Sequence, residues 1–168
     1  MPRATVIAYH AVAACPREAD TENIYLPPDL FERQIEFLVR RRRVVPLEAL
    51  VHKSPGRGRP AVAITFDDAF RSVLSTAAPI LRRHGLPATV FVPTAWLGRS
   101  AAWYAPDGCE AAVMTADELR EIERSGIAVE SHGHGHIDLA AASPDEASED
   151  IRSSAACLEE ILGRRPRY

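Results

Sequence analysis

At 168 residues the chain has the length of one domain, and its 46% apolar content is enough for an ordinary core. A charged fraction of 26% and a net charge of −3 exclude a strongly basic nucleic-acid binder and give no reason to expect an acidic membrane surface as partner. No apolar run approaches a membrane span. Cys15, Cys109 and Cys157 lie far apart with no Cys-x-x-Cys, so they suggest neither a disulfide framework nor a cysteine zinc site, although one pair is able to close in an oxidising compartment. Met1 to Ala14 is too short, and too early broken by His10, for a signal peptide. As written the chain is expected in the cytoplasm, and outside it if a leader precedes Met1.

Ala4 to Tyr9 reads as the first strand, with His10 at its end either serving the fold as a capping or core histidine or lining a cleft. Cys15 to Tyr25 is polar and reads as a surface loop. Pro27-Pro28-Asp29 opens a helix whose Phe31, Ile35 and Leu38 share a face, and whose end carries the basic run Arg40 to Arg43, most simply a solvated terminus favoured by the helix dipole. Val44 and Val45 make a short strand, Leu47 to Val51 a helical turn, and Ser54 to Pro60 a loop.

Ala61 to Ile64 is an uninterrupted apolar run, the pattern of a strand covered on both faces, and it delivers Asp67 and Asp68 to the strand's carboxyl end. Neighbouring strand residues point to opposite sides, so the two carboxylates share one cleft only if the chain turns there; otherwise one of them simply caps the next helix. That helix is expected over Val73 to His84 with Gly85 as its stop, followed by a strand from Ala88 to Pro93. Thr94 to Gly108 is loop-like and holds Trp96, Trp103 and Tyr104, aromatics suited either to stacking on sugar rings or to packing over the core.

Thr115-Ala116-Asp117-Glu118 is a capping box for a helix ending near Gly126, and Ile127 to Val129 is the next strand. Directly after it, SHGHGHIDL places His132, His134 and His136 within five residues. A lone histidine at a strand end is usually a hydrogen-bonded core or surface group. A His-x-x-x-His pair beside a carboxylate from another strand end, however, matches a divalent transition metal, and zinc, cobalt, nickel and iron all suit that donor set. Ser143-Pro144-Asp145-Glu146 is a second capping box, with Ile151, Ala155, Leu158 and Leu162 as the expected buried stripe and Gly163 as the terminator. The alternation predicts an α/β fold, parallel strands alternating with helices in a partial, distorted (β/α) barrel.

Thr65-Phe66-Asp67-Asp68-Ala69 and His132-Gly133-His134-Gly135-His136-Ile137-Asp138-Leu139 together resemble the two leading motifs of the polysaccharide deacetylase family, carbohydrate esterase family 4, in the family's order. The early Tyr9-His10-Ala11-Val12 and the segment Leu86 to Val92 are also similar to family members, so the resemblance covers nearly the whole chain as a single domain, 1–168. It implies Asp67 as general base, Asp68, His132 and His136 as metal ligands, and no role for His134. His10, Trp96 and Trp103 are candidate substrate-binding residues. The implied activity is metal-dependent hydrolysis of acetyl groups from an N- or O-acetylated glycan, with zinc the leading cofactor. A non-catalytic metal- or glycan-binding remnant and another barrel metallohydrolase, such as a phosphoesterase, stay open.

Two departures bear on the site. Ala69 stands where the family has glycine, tolerable if the position needs no positive φ, and Gly133 stands where a Ser or Thr hydroxyl helps fix the metal loop, which predicts looser ligands. The family's third motif and the histidine that serves as general acid fall beyond Tyr168, so the chain reads as an N-terminal portion. His10 or His134 supplies the acid only if the fold brings it to the leaving nitrogen. An unclosed barrel leaves a strand edge through which the chain is expected to associate.

Overall fold

A computed structural model describes residues 4–52 and 58–168. The loop expected from Ser54 lies outside the described residues as far as residue 57. Five parallel strands form one sheet: β1 (Ala4–Tyr9), β2 (Arg43–Val44), β3 (Ala61–Phe66), β4 (Thr89–Val92) and β5 (Ala128–Ser131). β3 is central and buried at all six positions, as its unbroken apolar sequence requires. β1 pairs with its whole length, from Ala4 opposite Ala61 to Tyr9 opposite Phe66. The other side of β3 is shared, β2 pairing with Ala61 and Val62 and β4 with Thr65 and Phe66; β5 follows β4. The sheet is an arc of parallel strands with helices packed on it, an unclosed and distorted barrel.

The first helix, α1 (Pro28–Arg41), buries Phe31, Ile35 and Leu38 as its spacing dictates. Phe31 meets Tyr9 edge-on at 5.2 Å and Phe66 at 5.9 Å, tying α1 to the two longest strands. Burial of such a ring contributes about 1.5–3 kcal/mol. The short α2 (Leu47–Val51) follows β2. Between β3 and β4 the expected helix is present but not regular throughout: Val73–Ala77 is a π-helical turn leading into α3 (Ala78–Arg83). Pro79 offers no N–H to Ser75 and its ring crowds the preceding turn, which favours a widened one.

Both capping boxes form. Thr115 accepts from Glu118 N–H at the start of α4 (Ala116–Arg124), and Ser143 accepts from Glu146 N–H at the start of α5 (Pro144–Leu162), which Gly163 ends at φ 71°. The buried stripe of α5 differs from the expected one. Asp150, Ser154 and Leu158 face inward, while Ile151 is 52% exposed. The helix is rotated by about one residue because its polar pair has partners to satisfy: Asp150 binds the backbone of the histidine-glycine loop, and Ser154 shares a 2.7 Å hydrogen bond with Ser131. Apolar periodicity locates a stripe only when no buried polar bond competes.

At the sheet's margins, β1 leaves Val6 50% exposed, whereas residues 164–168 lie beside β5. Ser131 N–H donates to the Tyr168 carbonyl at 3.1 Å, and the Arg164 and Arg167 guanidinium groups flank the buried Glu130 carboxylate at 3.6 Å each. No helix among the described residues is long and apolar enough to cross a membrane.

The cysteines correct one expectation. Cys15 and Cys109, separated by 94 residues, form a disulfide with their Cα atoms 5.1 Å apart, while Cys157 is free. The bond joins the segment after β1 to the long loop before α4. Neighbouring contacts join the same two segments: the Tyr104 hydroxyl donates to Asp20 at 3.0 Å and accepts from Glu22 N–H, and the Tyr25 hydroxyl donates to the Glu110 carbonyl.

Candidate metal centre

The centre is assembled at the carboxyl ends of β1, β3 and β5. Asp67 N–H donates to the Tyr9 carbonyl at 2.9 Å, so the sheet pairing continues one step past β3 before the chain turns. Asp68 makes the turn at φ 66° and Ala69 completes it at φ 51°. Aspartate enters this left-handed region more readily than most residues, but alanine does so at a cost, so the position occupied by Ala69 does require positive φ. Met114 N–H donates to the Ala69 carbonyl at 2.9 Å and Arg71 N–H donates to the Ala112 carbonyl at 2.7 Å, which hold the strained turn in place.

On the other side, His132 N–H donates to the Val92 carbonyl, extending the β4–β5 pairing, and the loop then doubles back through Gly133 at φ 75° to His136 at φ 57°. The expectation of a loosened loop is overturned. Asp150 of α5 accepts from His134 N–H at 2.8 Å and from Gly135 N–H at 2.6 Å, doing from outside the loop what a hydroxyl inside it would do. Gly133 is required by this clamp, because a Cβ there would overlap Asp150 Oδ2. Restoring the family residue with Gly133→Ser is therefore expected to harm this protein. Strain and overlap together should cost about 2–4 kcal/mol in denaturant unfolding, and calorimetric titration with zinc should show affinity falling roughly 10- to 100-fold.

The geometry brings Asp68, His132 and His136 together and leaves His134 out. One ligand atom from each of the three lies within 4.8 Å of the others. Asp68 Oδ1 is 3.1 Å from His136 Nε2 and 3.4 Å from His132 Nε2, and among the described residues it has no hydrogen-bond partner although it is buried. A buried carboxylate oxygen left unsatisfied is costly unless something else occupies that position. Ligand atoms about 2.0–2.1 Å from a tetrahedral cation stand about 3.3 Å apart, and both spacings from Asp68 Oδ1 match that separation. His134 instead turns its Nδ1 to the Thr94 hydroxyl at 2.9 Å, and its carbonyl accepts from Ala95 N–H.

The two aspartates are driven apart electrostatically. Burial pushes the Asp67 carboxyl above the usual range, with His132 and His10 opposing and Asp68 reinforcing the shift. Burial also pushes Asp68 up, but the adjoining His132 imidazole and the charges of His136 and His10 more than reverse it, leaving that carboxyl below the usual range. His132 is raised by its contact with Asp68, and His136 is lowered, mainly by burial. The carboxyl held below the usual range is the one in the three-residue cluster.

His10, Glu22, Ile24, Trp103 and Tyr104 join Asp68, His132 and His136 around a cavity of about 310 Å³. A second cavity of about 510 Å³ is also bordered by His132 and His136, together with the exposed Ile137, Leu139 and Ile151. Of the expected substrate-binding residues, His10 and Trp103 reach the first cavity. Trp96 lines neither; its indole N–H donates to the Gly135 carbonyl at 3.1 Å and thereby steadies the histidine loop. Asp150 carries no signal in the sequence, where it is one acidic residue among several on a helix.

A family model described as polysaccharide deacetylase matches residues 55–168. The poly-beta-1,6-N-acetyl-D-glucosamine N-deacetylase of Staphylococcus aureus (strain MSSA476) is 27% identical over 153 residues, covering 89% of this chain and 50% of that protein. The chain thus spans about half the length of the curated relatives it matches. Among solved structures, the Streptococcus pyogenes deacetylase PplD in complex with acetate superposes with a TM-score of 0.78 at 24% identity, covering 98% of this chain and 71% of that one. IcaB from Ammonifex degensii gives 0.75 at 24% identity, with coverage of 100% and 73%. These two establish the likeness of fold. With both leading motifs inside the matched region and their carboxylate and imidazoles brought to one point, the chain belongs to the polysaccharide deacetylase family.

Proposed function

We propose that the chain carries the hydrolytic site of a metal-dependent deacetylase acting on an N-acetylated glycan, releasing acetate and leaving a free amino sugar. One observation carries the reading: buried Asp68 turns an unpartnered oxygen toward two imidazoles, while its neighbour Asp67, outside that cluster, is pushed toward protonation by burial. The name of the Staphylococcus aureus relative supports an N-acetylated amino-sugar polymer as the substrate class.

Asp68, His132 and His136 would hold a divalent cation, which supplies a Lewis acid for the acetyl carbonyl and acidifies water, zinc being well matched to these ligands. Asp67 accepts the proton of the attacking water. Its raised pKa brings its basicity closer to neutral pH, which suits a general base. As the carbon–nitrogen bond breaks the leaving amine must take up a proton, and of His10 and His134 it is His10, at the end of β1, that shares the 310 Å³ cavity with the cluster. His134, engaged with Thr94, does not take that part. The Cys15–Cys109 disulfide favours an oxidising compartment as the place of work.

The test is acetate release from N-acetylglucosamine oligomers by the zinc-loaded chain. Release that stops on chelation and returns with zinc is the expected result. Zinc uptake with glycan binding but no acetate would replace this reading with a binding remnant, and hydrolysis of phosphate esters in its place would point to a different metallohydrolase.

A further inference from the structure

Trp103 makes two contacts to the cluster that simple packing over the core does not explain. Its indole N–H donates to Asp68 Oδ2 at 3.3 Å, the oxygen opposite the unpartnered one. Its ring also lies on His136, centroids 4.1 Å apart and planes 23° from parallel. Trp96 braces it edge-on at 5.1 Å, while Trp96's own N–H holds Gly135 within the histidine loop. The residue is only partly buried and lines the cavity.

The loop that carries Trp103 is pinned on every side. Cys109 ties it to Cys15, Tyr104 ties it to Asp20, and backbone hydrogen bonds from Ala101 N–H to the Ala111 carbonyl and from Gly98 N–H to the Met114 carbonyl close its base. An indole donates and does not accept, so it competes with Asp68 for no cation. It occupies one carboxylate oxygen and leaves the other bare.

We propose that Trp103 is a positioning residue of the metal centre: by donating to Asp68 Oδ2 and stacking on His136 it fixes two of the three ligands and makes Asp68 bind through Oδ1 alone. The inference rests on the metal-site reading above. One-oxygen binding keeps a coordination position open for water and substrate, which a carboxylate binding through both oxygens would fill.

Cobalt(II) titration of the full chain tests this, since the visible absorption of cobalt reports its coordination. In Trp103→Phe, which keeps an aromatic ring but removes the N–H, the apparent Kd should rise roughly 10- to 100-fold. The visible band should also weaken as the freed carboxylate engages through both oxygens. The thermal midpoint of the cation-free variant checks its fold. As a second measurement, Trp96→Phe leaves Trp103 the sole indole of this two-tryptophan chain, and its emission should change in step with zinc occupancy. An unchanged Kd and cobalt spectrum in Trp103→Phe, or zinc uptake without any change in Trp103 emission, overturns the inference while the metal site stands. Failure of the unaltered chain to take up cobalt overturns the metal-site reading, and this inference with it.

Discussion

Asp67→Asn is expected to lower acetate release by roughly two to four orders of magnitude, the range associated with losing a positioned general base. The substitution keeps the side chain's size and leaves the Asp67 N–H bond to the Tyr9 carbonyl in place, so the turn after β3 should survive. Asp68, His132 and His136 are untouched, and zinc affinity should stay within about threefold of the parent, well under the 10-fold expected when a ligand's support is lost. Asp68→Asn provides the contrast, because it removes charge from the oxygen facing both imidazoles and should abolish zinc uptake along with turnover. Measuring both quantities in both variants separates base from ligand. Equal loss of zinc in Asp67→Asn would assign Asp67 to the cation and leave the reaction without the base proposed here.

The largest effect on stability is expected from the disulfide. Cys15 and Cys109 close a loop with a sequence separation of 94 residues, and the chain-entropy estimate for that length is about 4–5 kcal/mol, at the top of the range that disulfides deliver. Replacing both cysteines with alanine should therefore cost about 4 kcal/mol, a fall in the thermal midpoint of roughly 10 °C for a chain of this size. Treating the parent with a dithiol reductant should reproduce the loss, and adding reductant to the double variant should do nothing more. A cost below about 1 kcal/mol would mean that Tyr104, Asp20, Tyr25 and Glu110 already hold the two segments together.

What the sequence reveals is local, and the residues show why. β3 is legible because an unbroken apolar run set between a glycine- and proline-rich loop and two carboxylates is the mark of a covered strand. Both helix starts are legible because Thr115 with Glu118, and Ser143 with Glu146, are self-contained bonding schemes. Asp68, His132 and His136 are legible as a set through their motifs. The structure adds the turn at Asp68 that gives the two aspartates different surroundings. What escapes is decided at long range. The meeting of Cys15 with Cys109, the swing of His134 toward Thr94 and the hold of Trp103 on Asp68 join segments 35 or more residues apart. Asp150 escapes because it reaches back 16 residues to the histidine loop, and with it escape the rotation of α5 and the need for glycine at position 133.

The positions of the site residues along the chain have a consequence for the order of events during folding. His10, Asp68 and the His132–His136 pair sit at the ends of three strands, and the last of these is reached only after β1, β3 and β4 have been made. Before β3, β4 and β5 are side by side, a cation meets at most two imidazoles on a glycine-bearing loop. A metal held there would therefore have little to grip while the sheet is forming and would gain its full set of ligands only when the sheet is complete. Its contribution would fall on the finished state, as a lock that slows opening rather than a seed that speeds assembly.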